Sequence, residues 1–139
     1  MRYPEPLIAP MRAELAENGV VEARNPSDVD RLLTPGAGTV MMIVNSVCGC
    51  AAGKARPGIL MALKHKVTPQ TSATVFAGAD VEAVQRVREM LPNYPPSSPA
   101  VALFKDGQAV FMLQRHQIEN RQAFEIAEVL TQAFDQHCQ

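Results

Sequence analysis

Two cysteines separated by a single glycine, Cys48-Gly49-Cys50, are the residues whose type and spacing point most directly to chemistry. They lie just after an almost uniformly apolar run, TVMMIV at residues 39–44, and just before a helix-forming stretch that begins at Ala51. The first turn of a helix offers free backbone N–H groups and the positive end of the helix dipole. Both favour the thiolate, which is the nucleophilic form of cysteine. Gly49 lets the backbone bend so that the two sulfurs can approach. A one-residue spacer closes a tighter disulfide ring than a two-residue spacer, and strained disulfides are the labile, catalytic kind. The plainer reading is a pair of small buried hydrophobes, because free cysteine is often a core residue.

Other residues compete for a role at this site. Lys54 and Arg56 either add positive potential near Cys48 or are solvated helix charges. Their predicted effect on the Cys48 thiolate is second to that of the helix N-terminus. Ser98-Pro99 stands at the start of a predicted strand, where proline is either an ordinary strand opener or a cis residue facing the cysteine loop. Beside a cysteine loop, the cis form is the expectation. A metal site would need Cys48 and Cys50 plus further ligands from His65, His116, His137 or Cys138. Only the adjacent pair at the tail has close spacing, so no metal is expected. His65 sits between Lys64 and Lys66 like a solvated helix end, and His116 reads as a surface residue. The tail pair His137-Cys138 reads as frayed, with an exposed thiol able to form intermolecular disulfides. Gly49 to Lys54 superficially resembles a phosphate loop. It has three residues between its glycines where four are needed, and Ala55 stands where Ser or Thr would bind magnesium.

The surrounding pattern supplies the elements that must hold these residues. Residues 6–18 read as a first helix with Leu7, Ile8, Met11 and Leu15 at helical spacing, closed by Gly19. A short strand at 20–23 precedes a second helix, where Ser27 and Asp30 are spaced like a capping box. Residues 39–44 read as a strand buried on both faces. The helix from Ala51 towards Lys64 is open to disturbance at Pro57-Gly58. Residues 72–77 form another buried strand, and Asp80 is a good N-cap for a helix carrying Val81, Val84, Val87 and Leu91. The Pro/Ser-rich stretch at 92–99 is too short for an interdomain linker. Strands at 100–104 and 109–113 flank the hairpin signal Asp106-Gly107. Asn120 would cap a last helix with Phe124, Ala127, Leu130 and Phe134 on one face.

This order predicts an α/β fold, a mixed central sheet with helices on both faces. Strands joined through helices should be parallel and only the closing hairpin antiparallel. Chemistry in such folds collects beyond the carboxyl ends of the parallel strands, which is where Cys48 stands. The 139 residues suit one domain spanning 1–139. Apolar residues make up 47% and charged residues 19%, enough to build a core and inconsistent with disorder. Thirteen basic against fourteen acidic residues leave no basic field for nucleic acid. No apolar run approaches the roughly 20 residues of a membrane helix. The opening MRYPEPLIAP lacks the long apolar stretch of a signal peptide, so the expected location is the cytoplasm. Three cysteines, oddly placed, do not make a secreted disulfide scaffold.

The stretch Val44-Asn45-Ser46-Val47-Cys48-Gly49-Cys50-Ala51-Ala52-Gly53, followed by Ala55-Arg56-Pro57, resembles the signature of the bacilliredoxins, bacterial thioredoxin-like proteins with a CGC active site. The similarity runs along nearly the whole chain. It includes Tyr3-Pro4 with Leu7 to Arg12, Val75-Phe76-Ala77-Gly78, Tyr94 to Pro99, Arg115-His116 and the closing Phe134-Asp135 with His137-Cys138. The residues around Asn120 depart from the pattern. The resemblance implies a thioredoxin-like fold whose active-site cis proline matches Pro99. It also implies activity on mixed disulfides between client proteins and bacillithiol, a low-molecular-weight thiol that serves as cosubstrate, with no tightly bound cofactor. A flavin-dependent disulfide reductase is a candidate partner. On this reading Cys48 is the nucleophile, and either Cys50 or a second small thiol resolves its adduct. Gly49, Ser98 and Pro99 would line the substrate groove. Two alternatives stay open: a general protein disulfide reductase or isomerase, and a metal- or iron-sulfur-binding module built on the same two cysteines.

Overall fold

The apolar run at the centre of the sequence forms strand β2 (Thr39–Asn45), and all seven of its residues are buried. The computed structural model describes residues 2–139. It sets β2 in the middle of a five-stranded sheet ordered β1 (Val21–Glu22), β3 (Thr71–Phe76), β2, β4 (Ala100–Lys105) and β5 (Gln108–Leu113). Successive side chains of a strand point to opposite faces, so a strand without a solvent face needs an apolar layer on each side. Met41 and Ile43 join one layer with Ile59, Ile126, Leu130 and Phe134. Val40, Met42 and Val44 join the other with Val29, Val84 and Val87. The first layer is closed by helices α3 (Arg56–Ala62) and α6 (Ala123–His137), the second by α2 (Pro26–Leu32) and α4 (Val81–Glu89). The N-terminal helix α1 (Glu5–Ala16) adds Leu15 to the first layer and Ile8 to a small third cluster with Phe76 and Ala79. The α/β class, the mixed sheet and the helices on both faces agree with the sequence. No helix among the described residues is long and apolar enough to cross a membrane.

One strand direction differs from expectation, and it matters for the site. β1, β3 and β2 are parallel. β4 follows α4 and was expected to be parallel too, yet it pairs antiparallel with β2, Ala100 opposite Val44 and Lys105 opposite Thr39. The cause is the proline-rich stretch. After α4 the chain is at the far end of the sheet, where residues 92–94 lie against Gln108 and Ala109. Pro92, Pro95, Pro96 and Pro99 bar a helix and favour extended backbone. Past the turn that the Tyr94 N–H closes on the Leu91 carbonyl, the five steps from Tyr94 to Pro99 at about 3.1 Å each cover about 16 Å, most of the height of a six-residue strand. The chain therefore climbs back to the cysteine end before β4 starts, and Pro99 enters the sheet beside the loop after β2.

Several local features also differ. Asn25, not Ser27, caps α2: its side-chain oxygen accepts the Asp28 N–H at 2.9 Å, with Pro26 opening the helix. Asp80 makes no capping bond to α4. Its buried carboxylate instead takes both terminal nitrogens of Arg12, at 2.9 and 2.8 Å, and the Phe76 N–H at 3.1 Å. An additional short helix, α5 (Arg115–Glu119), ends at Asn120, so the N-cap position of α6 falls to Gln122, whose backbone N–H donates to Glu125 Oε1 at 2.8 Å. Phe124 is exposed, and the buried face of α6 is Ile126, Ala127, Leu130, Ala133 and Phe134. Pro57 does not break its helix. A π-helical turn (Ala51–Ala55) precedes it, with the Arg56 N–H bonded to the Ala51 carbonyl. This wider turn accommodates a proline ring that would otherwise meet the carbonyl four residues back.

Candidate active site

The loop from β2 to the first cysteine is held by buried polar groups. Asn45 ends the strand, and its side-chain oxygen accepts the Ser46 N–H at 2.8 Å and Arg56 Nη1 at 2.9 Å. The same Nη1 donates to the Ser46 carbonyl at 2.9 Å, while Arg56 Nε donates to Glu14 Oε1 at 2.9 Å. Asn45 Nδ2 reaches the Met11 carbonyl at 3.2 Å. Arg56 is only 3% exposed. It is not a solvated charge but the tie between α1, the end of β2 and the loop. Lys54 is also engaged elsewhere, its Nζ donating to the Glu119 carbonyl at 2.6 Å.

Cys48 and Cys50 are free, half-buried thiols on either side of an exposed Gly49. The Cys48 N–H donates to Ser46 Oγ at 3.1 Å. Burial works to raise the Cys48 thiol. The Cys50 thiol, the Ser46 hydroxyl and the Ala51 and Cys50 N–H groups all favour its thiolate, and together they bring it below its ordinary value. Cys50 moves the other way. Burial raises it first, then the hydrogen bond to Cys48 and the negative charge there, against a smaller lowering from Arg115. The two thiols are thus driven apart, one towards thiolate and one towards thiol. The cation whose charge bears on Cys50 is that of Arg115. Its guanidinium is kept above its ordinary value by Glu119 first and then by the Cys50 and Cys48 charges.

A cleft of about 270 Å³ opens beside Cys48. Ser46 and Val47 form one side, Ala77 and Gly78 from the turn after β3 another, and Ser98 and Arg115 a third. The Ser98–Pro99 peptide bond is cis. Tyr3 completes the wall: its N–H donates to the Gly78 carbonyl at 2.9 Å. Its ring lies over Gly78, 2.5 Å from where any Cβ would sit, so only glycine permits this approach. Of the residues singled out from sequence, Cys48 and Ser98 line this cleft; Gly49, Cys50, Lys54, Arg56 and the buried Pro99 do not. Sequence reading missed Ser46, Tyr3 and Arg115. Arg115 stands two residues past the last strand of the hairpin, and the correct direction of β4 would have placed it at the cysteine end.

The remaining candidates lie elsewhere. Among the described residues, no three His, Cys, Asp or Glu side chains come together in a way that could hold a metal ion. His65 Nε2 pairs with Asp135 Oδ1 at 2.9 Å, and His116 is exposed. Cys138 is not on a frayed tail. Its N–H closes the last turn of α6 onto the Phe134 carbonyl at 2.8 Å, and its side chain packs on the main core. Burial raises its thiol, opposed by Thr39 and Lys105. Thr39 begins β2 and Cys48 follows its end, so Cys138 is about 20 Å from the cleft, a seven-residue strand away.

Comparison with known proteins adds what geometry cannot. Residues 3–138 match the family described as "Disulphide isomerase". A bacilliredoxin of Koribacter versatilis is 52% identical over 136 residues, covering 98% of this chain and 94% of that protein. One from Cytophaga hutchinsonii is 51% identical, covering 96% and 98%. Among solved structures, a mutant thioredoxin from Halobacterium salinarum superposes with a TM-score of 0.60 at 13% identity, over 88% of this chain and 93% of that one. Oxidised thioredoxin O2 from Arabidopsis thaliana gives 0.54 at 14% identity, over 85% and 96%. At such identities the structures establish the thioredoxin fold alone, whereas sequence likeness along nearly the full length fixes descent: the chain belongs to the bacilliredoxin family and is a thiol–disulfide oxidoreductase.

Proposed function

We propose that this protein removes bacillithiol from mixed disulfides on client proteins, with Cys48 as the attacking thiol and Cys50 as the resolving one. The observation that carries the assignment of roles is the opposite bias of the two sulfurs. Cys48 receives the donors that favour a thiolate and lines the cleft; Cys50 is the neighbour that supplies one of them. In the first step the Cys48 thiolate attacks the bacillithiol sulfur. A new S–S bond forms on Cys48, the old one breaks, and the client leaves as a thiolate that takes a proton from water. In the second step the Cys50 thiol loses its proton and attacks Cys48, expelling bacillithiol as its thiolate and leaving a Cys48–Cys50 disulfide. Two electrons from a dithiol or a flavin-dependent disulfide reductase return both cysteines to thiols. A second bacillithiol attacking the Cys48 adduct would serve in place of Cys50. No tightly bound cofactor takes part, and the chemistry suits the reducing cytoplasm. Gly49, Ser98 and Pro99 are assigned to the groove that receives the client.

The test is trapping. Cys50→Ala, expressed in a bacillithiol-producing cell and analysed intact by mass spectrometry, should carry one bacillithiol on Cys48. Cys48→Ser should carry none on Cys50 and should not reduce a bacillithiolated client. Equal adducts in the two variants would overturn the assignment of roles. Adducts to protein thiols only, with no bacillithiol, would favour disulfide isomerisation, which uses the same two cysteines.

A further inference from the structure

The cleft beside Cys48 carries a chemical bias that disulfide exchange does not by itself require. At about 270 Å³ it lies just below the roughly 300–1,000 Å³ typical of small-molecule sites, the scale of a small thiol. Arg115 is the charged side chain in its lining, and none of the lining residues is acidic. The guanidinium is held in place from two sides. Nη1 donates to the Ser98 carbonyl at 3.2 Å and Nε to Glu119 Oε2 at 3.2 Å, while the Arg115 N–H donates to Ser97 Oγ at 2.7 Å. Nη2 takes part in neither side-chain bond. The other two cations near the loop are already committed, Arg56 to Asn45, Ser46 and Glu14, and Lys54 to the Glu119 carbonyl.

Resting on the function proposed above, we infer that Arg115 is a binding residue for the small-thiol half of the mixed disulfide and selects thiols that carry a carboxylate. The argument is one of charge. A thiolate at Cys48 repels an anionic substrate brought into the same cleft, and Arg115, although its Nε is paired with Glu119, sets a cation in the cleft wall that offsets that repulsion. A guanidinium also binds a carboxylate through directed, charge-assisted hydrogen bonds, which a mobile ammonium matches less well. Tyr3, across the cleft, offers the carbon skeleton of such a thiol an aromatic wall. In the exchange itself Arg115 neither gains nor loses a proton. The S–S bond passes from the client sulfur to Cys48, and the carboxylate stays paired while the client departs.

Three mixed disulfides of one single-cysteine client separate this role from simple thiolate stabilisation. They carry 3-mercaptopropionate, 2-mercaptoethanol and cysteamine, which are similar in size and differ in charge. Release of client thiol by the reduced protein is measured as a second-order rate, each divided by the rate with dithiothreitol alone. The wild type should favour the carboxylate substrate over the amine. Arg115→Gln should reduce that ratio about tenfold, the size of one charge-assisted hydrogen bond, and Arg115→Lys should retain most of it. A ratio unchanged in Arg115→Gln, with all three rates falling together, would mean that Arg115 acts on the thiolates alone and would overturn the inference while leaving the oxidoreductase reading intact. A wild type that releases none of the three thiols would overturn both.

Discussion

Removing the Ser46 hydroxyl isolates one of the interactions that bias Cys48 towards thiolate. Burial of the sulfur opposes ionisation, so the lowering depends on donors: the Cys50 thiol, the Ser46 hydroxyl and two backbone N–H groups. Hydrogen bonds to charged groups are worth about 1.5–3 kcal/mol, and the remaining donors recover part of any loss. Ser46→Ala should therefore cost the thiolate about 1.4 kcal/mol, a factor of about ten in the ionisation constant. The assay is the pH dependence of iodoacetamide alkylation of Cys48 in a Cys50→Ser/Cys138→Ser background, with and without Ser46→Ala. The curve should move to higher pH. Both curves belong to the Cys50→Ser background, where the serine hydroxyl stands in for the Cys50 thiol, and between them lies a pH at which the parent keeps thiolate that the Ser46→Ala variant has lost. The plateau at high pH should stay level or rise, since a more basic thiolate is the better nucleophile. Ser46 Oγ also accepts the Cys48 N–H at 3.1 Å, so alanine leaves that donor without its partner and should lower stability modestly as well. A curve superimposable on the parent's would show that the hydroxyl does not face the sulfur as a donor, and the account of Cys48 activation would then rest on the backbone and Cys50 alone.

Two further substitutions test the supporting structure. Arg56→Met strips the Ser46 carbonyl and Glu14 of their side-chain donor and leaves Asn45 Oδ1 with the Ser46 N–H alone; because Glu14 is half-exposed, the loss in urea unfolding should be about 2–3 kcal/mol rather than the larger cost of a fully buried pair, and alkylation of Cys48 should slow. Gly58→Ala would place a Cβ 2.8 Å from Ile126 Cγ2 and 2.9 Å from the Ala123 carbonyl, forcing α3 and α6 apart; the overpacking cost of about 1–3 kcal/mol outweighs the roughly 1 kcal/mol that alanine gains in a helix, so denaturation should show a net loss.

What sequence reading recovered was local. TVMMIV has no polar position, which places β2 at the centre of the sheet whatever the rest of the chain does. A hairpin at Asp106-Gly107 follows from turn chemistry, and both residues do take positive φ. The rule that strands joined through helices run parallel failed at β4, because it assumes that the chain reaches the next strand from the end where the helix left it. Four prolines between residues 92 and 99 were read as a loop too short to link domains, when their extended backbone was a path along the sheet. Length in residues was the wrong measure, and reach in ångströms was the right one.

The same division separates the parts of the site. Cys48 and Cys50 stand out because two thiols one residue apart after a buried strand is a pattern complete within a dozen positions. The charges around them are not of that kind. Lys54 and Arg56 are near Cys48 in sequence, yet one is bonded to a carbonyl 65 positions away and the other reaches across 42 to Glu14. Arg115 is 67 positions from Cys48 (115 less 48), and it becomes a neighbour only because β4 and β5 run down and back from the cysteine end. Asp80 shows the principle in reverse. It looks like an N-cap from its own neighbours, but Arg12, 68 positions earlier, takes its carboxylate. A buried charge costs too much to remain without a partner, so its position is decided by whichever opposite charge the fold brings near, not by the element it opens. Nucleophiles with their own local support can thus be found from sequence, whereas the cations that tune them follow only from the topology.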